Sequence, residues 1–369
     1  MIELVERNLD SFFAAPFTAY GKDSPYVSPM KADLKRFLTA GENPLFASDA
    51  DFTFWTAVRD GRPLGRIVAH VHRASNDRHG WNKAWFGFFD CANDREAARA
   101  LLGAAENWAR ARGFASLAGN FNLTAMQQAG IMTDGFDREP YTDQIWGAPH
   151  LPALLEANGF RRSFPMTTFE LDISAMDPKG LTDPRETEAL KAGGFTFAPV
   201  TRATLADRLE DARSILNVSF TDNPMFVPVS REEFDFQAKD MKWILDKRIS
   251  AVMQKDGKAV GAVIAIPDLN PLLKAVGSRP GLTLPWHYLK YRLNRKRAVI
   301  IFQGVLPDYQ GMGVNPLMLA HILREMRKAG YETVGGTWIA DENKASLRQV
   351  EKGGARPLHR LHLFSKELA

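Results

Sequence analysis

The stretch VLPDYQGMGVNPLML, Val305 to Leu319, decides how the chain is read. It follows the strand-like run VIIFQGV and precedes an apolar pattern of helical period, with Gly311 and Gly313 one residue apart at the junction. Asn315-Pro316 reads as a helix start, Asn as N-cap and Pro at the first helical position. Unpaired amides and the positive end of the helix dipole favour a phosphate or pyrophosphate there, and glycine lets an anion approach the backbone. A dinucleotide fingerprint needs glycine where Pro316 stands and a P-loop needs Gly-Lys-Ser/Thr, so neither fits. A tight turn with no ligand remains the plain alternative.

Outward from this loop the sequence repeats itself in element order. Asp60-Gly61 with GRIVAHV returns as Asp256-Gly257 with GAVIAIP, an offset of 196. LLEANGF and QVEKGGA align Glu156 with Glu351 and Gly159 with Gly354, an offset of 195. Each unit reads as a hairpin turned by Asp-Gly, then an apolar strand, WFGFFD at 85–90 or VIIFQGV at 299–305. An amphipathic helix follows, Arg95 to Arg112 or Pro316 to Ala329, each ended by a glycine, Gly113 or Gly330. A strand, a short helix and a last strand complete the unit. The expected fold class is therefore α/β of mixed type: two tandem units, each a mixed, mostly antiparallel sheet flanked by helices. Their expected spans are 1–178 and 189–369, with the joint in MDPKGLTDPRETE, 176–188.

A chain of 369 residues, 45% apolar, can bury two ordinary cores. One cysteine, Cys91, allows no intrachain disulfide and no CxxC metal motif, which fits a reducing cytoplasm. The N-terminal MIELVERNLDSFF carries acids where an export signal is basic, and no apolar run approaches the roughly 18–20 residues of a membrane span. These features predict a cytoplasmic protein, soluble or peripheral to the inner face of a membrane. A net charge of +4 makes no case for nucleic acid, and AWFGFFD, with only Lys83 beside it, reads as a buried strand rather than a base-stacking platform. The pairs His70/His72 and His359/His362 lack a third ligand, so no metal is expected.

Gln310-Gly311-Met312-Gly313-Val314, after Val305-x-Pro307, resembles motif A of the GNAT acyltransferases, whose consecutive amides bind the pyrophosphate of coenzyme A. Asn343-x-x-Ser346 and Lys352-Gly353-Gly354-Ala355 resemble that superfamily's closing segment. The resemblance implies acyl-CoA as co-substrate, held around Val305, Gln310, Gly311, Met312, Gly313, Val314 and Asn315, the last departing from the usual Gly or Ala. It also implies a backbone amide around Gly304 to Leu306 as donor to the tetrahedral oxyanion. At the corresponding place the first unit reads CANDREAARALL, with acids that repel an anion, so its loop is expected not to bind acyl-CoA. Val350 stands where the family places an acidic tyrosine, and Tyr309 and Tyr331 are the nearby phenols. Asp341 and Glu342, beside Asn343, are the candidate catalytic group, the two acids as bases, with an acidic first helical turn as the plain alternative.

From Leu269 to Pro307 there is no Asp or Glu. Within it, PGLTLPWHYLKYRLNRKR at 280–297 has the composition of an interfacial helix facing anionic lipid, or of a contact for the 3′-phosphate of coenzyme A. The tandem arrangement, with PYVSPMKADLKRFL, NPLF, GFFDCANDREAARALL, GNFN and GIMTDGFD, is similar to the bacterial ceramide-synthase-like proteins of the GNAT superfamily. This implies N-acylation of a long-chain sphingoid base, a lipidic amine, by a fatty acyl-CoA. Acetyl transfer to a small soluble amine and non-catalytic binding of acyl-CoA or lipid are the rival expectations.

Overall fold

The computed structural model describes residues 1–123, 128–174, 176–177, 182–221, 225–239, 244–279 and 281–368. Residues 178–181 of the expected joint and Pro280 of the basic segment lie outside them. Both Asp-Gly turns fold as hairpins with two residues at positive φ: Asp60 and Gly61 join β2 (Phe52–Arg59) to β3 (Arg62–His70). Asp256 and Gly257 likewise join β9 (Ala251–Lys255) to β10 (Lys258–Pro267).

In the first half β4 (Lys83–Cys91) runs antiparallel to β3, then crosses through the helix Arg95–Arg110 to the parallel strand β5 (Ser116–Gly119). The second half repeats the move, β11 (Arg297–Val305) crossing through the helix Val314–Lys328 to β12 (Thr333–Ala340). Parallel strands need such a crossover, and its amphipathic helix buries one face on the sheet. Only the first residues of each parallel pair bond: Lys83 to Trp85 with Ser116 to Ala118, and Arg297 to Ile300 with Thr333 to Gly336. Beyond them the strands diverge.

The last strands of the two halves are exchanged. β7 (Arg161–Asp172) pairs with β12, β13 (Arg356–Glu367) pairs with β5, and β7 and β13 pair with each other, all antiparallel. One sheet results, in the order β1-β2-β3-β4-β5-β13-β7-β12-β11-β10-β9-β8, where β1 is Glu3–Glu6 and β8 is Phe195–Ala198; β6 (Ile131–Asp134) adds beside β13. Leu361, Leu363 and Phe364 of β13 are buried in the core of the first half, each worth about 1.5–3 kcal/mol of apolar burial. Each half is thus completed by a strand from the other.

Candidate active site

The slot between β11 and β12 is built by divergence. Among the described residues no hydrogen bond joins the two strands beyond Ile300 and Gly336. Ile300, Ile301, Gln303 and residues 336–339 are only half-buried. A register shift between Ile264 and Ala265 puts a bulge at Ile301, a feature that re-aims backbone donors.

At the same place the first half is sealed. Aligning Lys83 with Arg297 and Ser116 with Thr333, Asn120 and Asn122 fall on Thr337 and Ile339. The Asn122 Oδ1 accepts from Phe88 N at 2.6 Å, the Asn120 Oδ1 accepts from Phe89 N at 3.0 Å, and the two side chains bond at 3.0 Å. Phe121 N donates to Phe86 O at 2.8 Å. These amides occupy the donors that a thioester would need, and every residue from Ala84 to Cys91 and from Ser116 to Leu123 is buried. The acids predicted to spoil this unit's loop have other partners: Asp94 caps the crossover helix, and both Asp94 and Glu96 pair with Arg59.

At the mouth of the open slot lies the glycine loop. The helix begins at Val314, with Gly313 as its N-cap at φ 80°, and Gly311 also has positive φ, 75°. The predicted start at Asn315 is therefore corrected: Asn315 lies in the first turn and its side chain caps nothing. It accepts from the Gln303 Nε2 and donates to the Gln349 Oε1 at 2.7 Å, linking β11, the crossover helix and the helix Lys344–Lys352. Among the described residues the amides from Gly311 to Asn315 donate to no backbone carbonyl, and Pro316 has no donor to add. Met312 is exposed between the two glycines. The Val305 carbonyl accepts from the Ser219 Oγ and the Gln310 Nε2, both at 3.0 Å, so Gln310 ties the loop's two ends together.

Against the loop packs Glu186, on the helix Pro184–Ala192. A Cβ at Gly313 would lie 2.8 Å from its carboxylate, whereas a Cβ at Gly311 would meet nothing. Bulk at 313 thus disturbs the protein itself, and Gly311→Ala is the clean test. It strains the left-handed backbone by about 1–2 kcal/mol and narrows the approach to the amides. We expect acyl-CoA affinity in a calorimetric titration to fall about tenfold. Glu186→Gln, which removes a like charge beside the anion, should raise it. Unchanged affinity in both variants would deny the loop its phosphate.

The predicted catalytic group is dispersed in role. Asp341 forms a bidentate pair with Arg360, Nη1 to Oδ1 at 2.6 Å and Nη2 to Oδ2 at 2.5 Å. These hydrogen bonds hold its carboxyl below the usual carboxylate range, which makes Asp341 a poor base and corrects that expectation. Asn343 is the N-cap of the last helix, its Oδ1 accepting from Ser346 N at 3.1 Å. Glu342 is exposed, with no ion-pair partner among the described residues. The Leu306 amide donates to Val260 O at 2.9 Å, which removes it from the expected oxyanion donors. Tyr331 is buried and bonded to Asp246 at 3.1 Å, its phenol raised by desolvation, so it supplies no proton to the slot. Tyr309 packs edge-on to Phe195.

One segment that the sequence did not flag reaches the slot from the first half. The Tyr141 ring lies on Gly335, and its hydroxyl bonds Glu170 at 2.6 Å and Thr333 at 2.9 Å. Thr142 is anchored on the Asp268 Oδ1, and the Gln144 Nε2 donates to Gly336 O at 2.8 Å, where β11 and β12 part. Between them Asp143 adopts φ 65°. It is solvent-exposed, with its carboxyl pushed up to about 6 by desolvation. A lone Asp between Thr and Gln carries no sequence signal for this.

Next to the bulge, Phe220 bridges Phe302 to Phe226, 5.9 Å from each ring. Phe226 opens on a narrow recess between the halves, walled by Leu45, Phe121, Met225, Val227 and Val229, with Glu233 and Gln237 at its polar side. The histidine pairs are accounted for by protein partners. His70 bonds Phe121 O and His72 bonds Ser75, their rings pushed down to about 3 and about 4 by burial. His359 bonds Thr168 and Arg138 O, and His362 bonds Thr133.

Residues 209–354 match the Acetyltransferase (GNAT) family. The chain has the fold of a tandem GNAT protein from the clavulanic acid biosynthesis pathway, with TM-score 0.60 and 14% identity over 100% of this chain and 99% of that one. A GCN5-related N-acetyltransferase from Sphaerobacter thermophilus has the same fold, with TM-score 0.56 and 12% identity over 100% and 96% of the chains. The chain thus has the fold of tandem GNAT proteins, and the family match lies in its C-terminal half. In sequence it is similar to the bacterial ceramide synthase of Caulobacter vibrioides (strain NA1000 / CB15N), 26% identical over 98% of this chain and 95% of that protein. It is also similar to protein YghO of Escherichia coli (strain K12), 24% identical over 99% and 94%.

Proposed function

We propose that the protein transfers a fatty acyl group from acyl-CoA to the amine of a long-chain sphingoid base. The C-terminal unit, 189–369, holds the acyl-CoA, and the N-terminal unit, 1–178, with its slot sealed, shapes the acceptor side. The observation that carries this is the contrast between the halves, one slot plugged by asparagine amides and the other open behind a run of unpaired loop amides. The sphingoid acceptor rests on the likeness to the Caulobacter ceramide synthase; in this reading its chain enters by the narrow recess beside Phe226, which has to widen to take it.

In this reading the diphosphate sits on the amides of Gly311 to Asn315 and the pantetheine arm runs back along β11, which brings the thioester toward the vertex at Ile300 and Gly336. The neutral amine attacks the thioester carbon, the C–N bond forms, and a backbone amide at the bulge takes the oxyanion's charge. The C–S bond then breaks. The amine's proton passes to the Asp143 carboxylate and on to the leaving thiolate. Glu342 lies in the turn after β12, which runs four residues beyond Gly336 to Ala340, roughly 13 Å at ~3.3 Å per residue, so in this reading Asp143 is the base nearer the vertex.

Release of free thiol, measured with acyl-CoAs and amines of graded chain length, tests the proposal. Turnover is expected to favour long chains in both substrates. Val227→Trp, which fills the recess, should lower long-chain kcat/KM about tenfold or more and spare short chains. Turnover confined to acetyl-CoA and small amines, or none at all, would overturn it.

A further inference from the structure

In the acid-free segment Arg279 lies over the Phe13 ring, 4.9 Å from its centroid, and the other cations are of two kinds. Lys274 pairs with Glu139 at 2.9 Å, Arg295 with Asp246 at 2.7 Å, Lys296 with Glu332 at 2.7 Å and Arg297 with Asp268 at 2.8 Å. Lys290 and Arg292 have no ion-pair partner among the described residues and are exposed. Both lie on the helix Leu284–Asn294.

That helix turns large apolar side chains to solvent as well as to the protein. Tyr291 is buried, while Trp286, Leu289 and Leu293 are 68%, 50% and 76% exposed, and Leu282 just before the helix is fully so. At 100° per residue the three helical positions fall within about 60° of one another, with Lys290 on one side of the stripe and Arg292 on the other. Leu4, Phe17, Val218 and Met312 are exposed elsewhere, singly, as on any surface. The 3′-phosphate of coenzyme A is the wrong occupant. The helix precedes β11 and the glycine loop follows it, nine residues on, roughly 30 Å at ~3.3 Å per residue. A second copy in twofold contact would set Lys290 and Arg292 against their own like.

We propose that Leu282, Trp286, Leu289 and Leu293 insert into the headgroup region of an anionic bilayer while Lys290 and Arg292 meet lipid phosphates on either flank. Hydrocarbon insertion and charge together give the two signals that stable, reversible membrane binding requires. This deepens the acyl-transfer reading, since a sphingoid base partitions into the same bilayer, but it stands on the helix alone.

The full chain is mixed with vesicles of phosphatidylcholine alone or with phosphatidylglycerol, and binding is read by sedimentation. Anionic vesicles are expected to bind about tenfold or more tightly than neutral ones, and less so as salt rises. Changing Trp286, Leu289 and Leu293 together to Ser should abolish binding, and Lys290→Glu with Arg292→Glu should abolish the anionic preference. The substituted side chains are exposed, so melting temperature and thiol release in detergent should stay at their wild-type values. No preference for anionic vesicles in the wild type, a serine variant that binds as well, or a serine variant that instead dissolves a dimer would overturn the proposal. Any of these leaves thiol release, and with it the acyl-transfer reading, untouched.

Discussion

Arg66→Met should destabilise the protein by about 3–5 kcal/mol, read as a lower urea midpoint, because it leaves a buried carboxylate without its cation. Arg66 and Asp90 are 1% and 7% exposed. The Arg66 Nε donates to the Asp90 Oδ2 at 2.8 Å, the Nη2 to the Tyr26 hydroxyl at 2.7 Å and the Nη1 to Phe12 O at 3.3 Å. The guanidinium also stacks over Phe12, 4.8 Å from its centroid. Tyr20 alone would remain to Asp90, at 2.9 Å. Adding Asp90→Leu should restore most of the loss, since an apolar pair of similar volume is often no worse than a buried ion pair. A loss under about 1 kcal/mol in the single variant would mean that Asp90 finds another donor.

The location of this pair says what the first half has become. In the strand-for-strand alignment Asp90 falls on Gly304, where a Cβ would come within 2.9 Å of the Phe302 ring and 3.2 Å of the Ser219 hydroxyl, so an ion pair stands where the second half packs an aromatic ring over glycine. With Asn120 and Asn122 filling the divergence beside the next strand, the first half has turned the geometry of a thioester site into packing. Its sheet then serves as a fixed wall, completed by β13, from which Tyr141 to Gln144 can be held against β12.

What could be read in the sequence was local. Asp-Gly hairpins, apolar strands and the crossover helices follow from turn chemistry and periodicity, and the observed helices Arg95–Arg110 and Val314–Lys328 end within two residues of their expected bounds. The glycine loop was legible for the same reason, because its chemistry belongs to consecutive backbone amides. Asn315 was misread because a helix can equally start at a positive-φ glycine, and its amide partners Gln303 and Gln349 arrive from other elements. Asp341 looked free because Arg360 is brought to it only by β13. The exchange of β7 and β13 was invisible, since alternation marks a strand's faces and says nothing of its neighbour. For the basic run, sequence alone could not separate the cations neutralised by Glu139, Asp246, Glu332 and Asp268 from Lys290 and Arg292.

Asp143→Asn should lower kcat about 10²–10⁴-fold, the usual contribution of a positioned general base, with little change in the KM for acyl-CoA. The reason is its place in the chain: Thr142 and Gln144 are pinned to Asp268 and Gly336, which holds the Asp143 backbone near the point where β11 and β12 part. The pH profile separates this role from a structural one. A carboxyl raised to about 6 by desolvation accepts a proton only once it is ionised, so activity should climb as pH rises through about 6. That inflection should vanish in Asp143→Asn, which preserves the side chain's size and the turn's tolerance of positive φ. Asp341→Asn and Glu342→Gln should retain the inflection, Asp341 because Arg360 already holds its charge, Glu342 because it stands at the loop end of β12. Full turnover in Asp143→Asn together with a collapse in Glu342→Gln would move the reacting amine to the other end of the slot, and the path of the pantetheine arm along β11 would have to be redrawn with it.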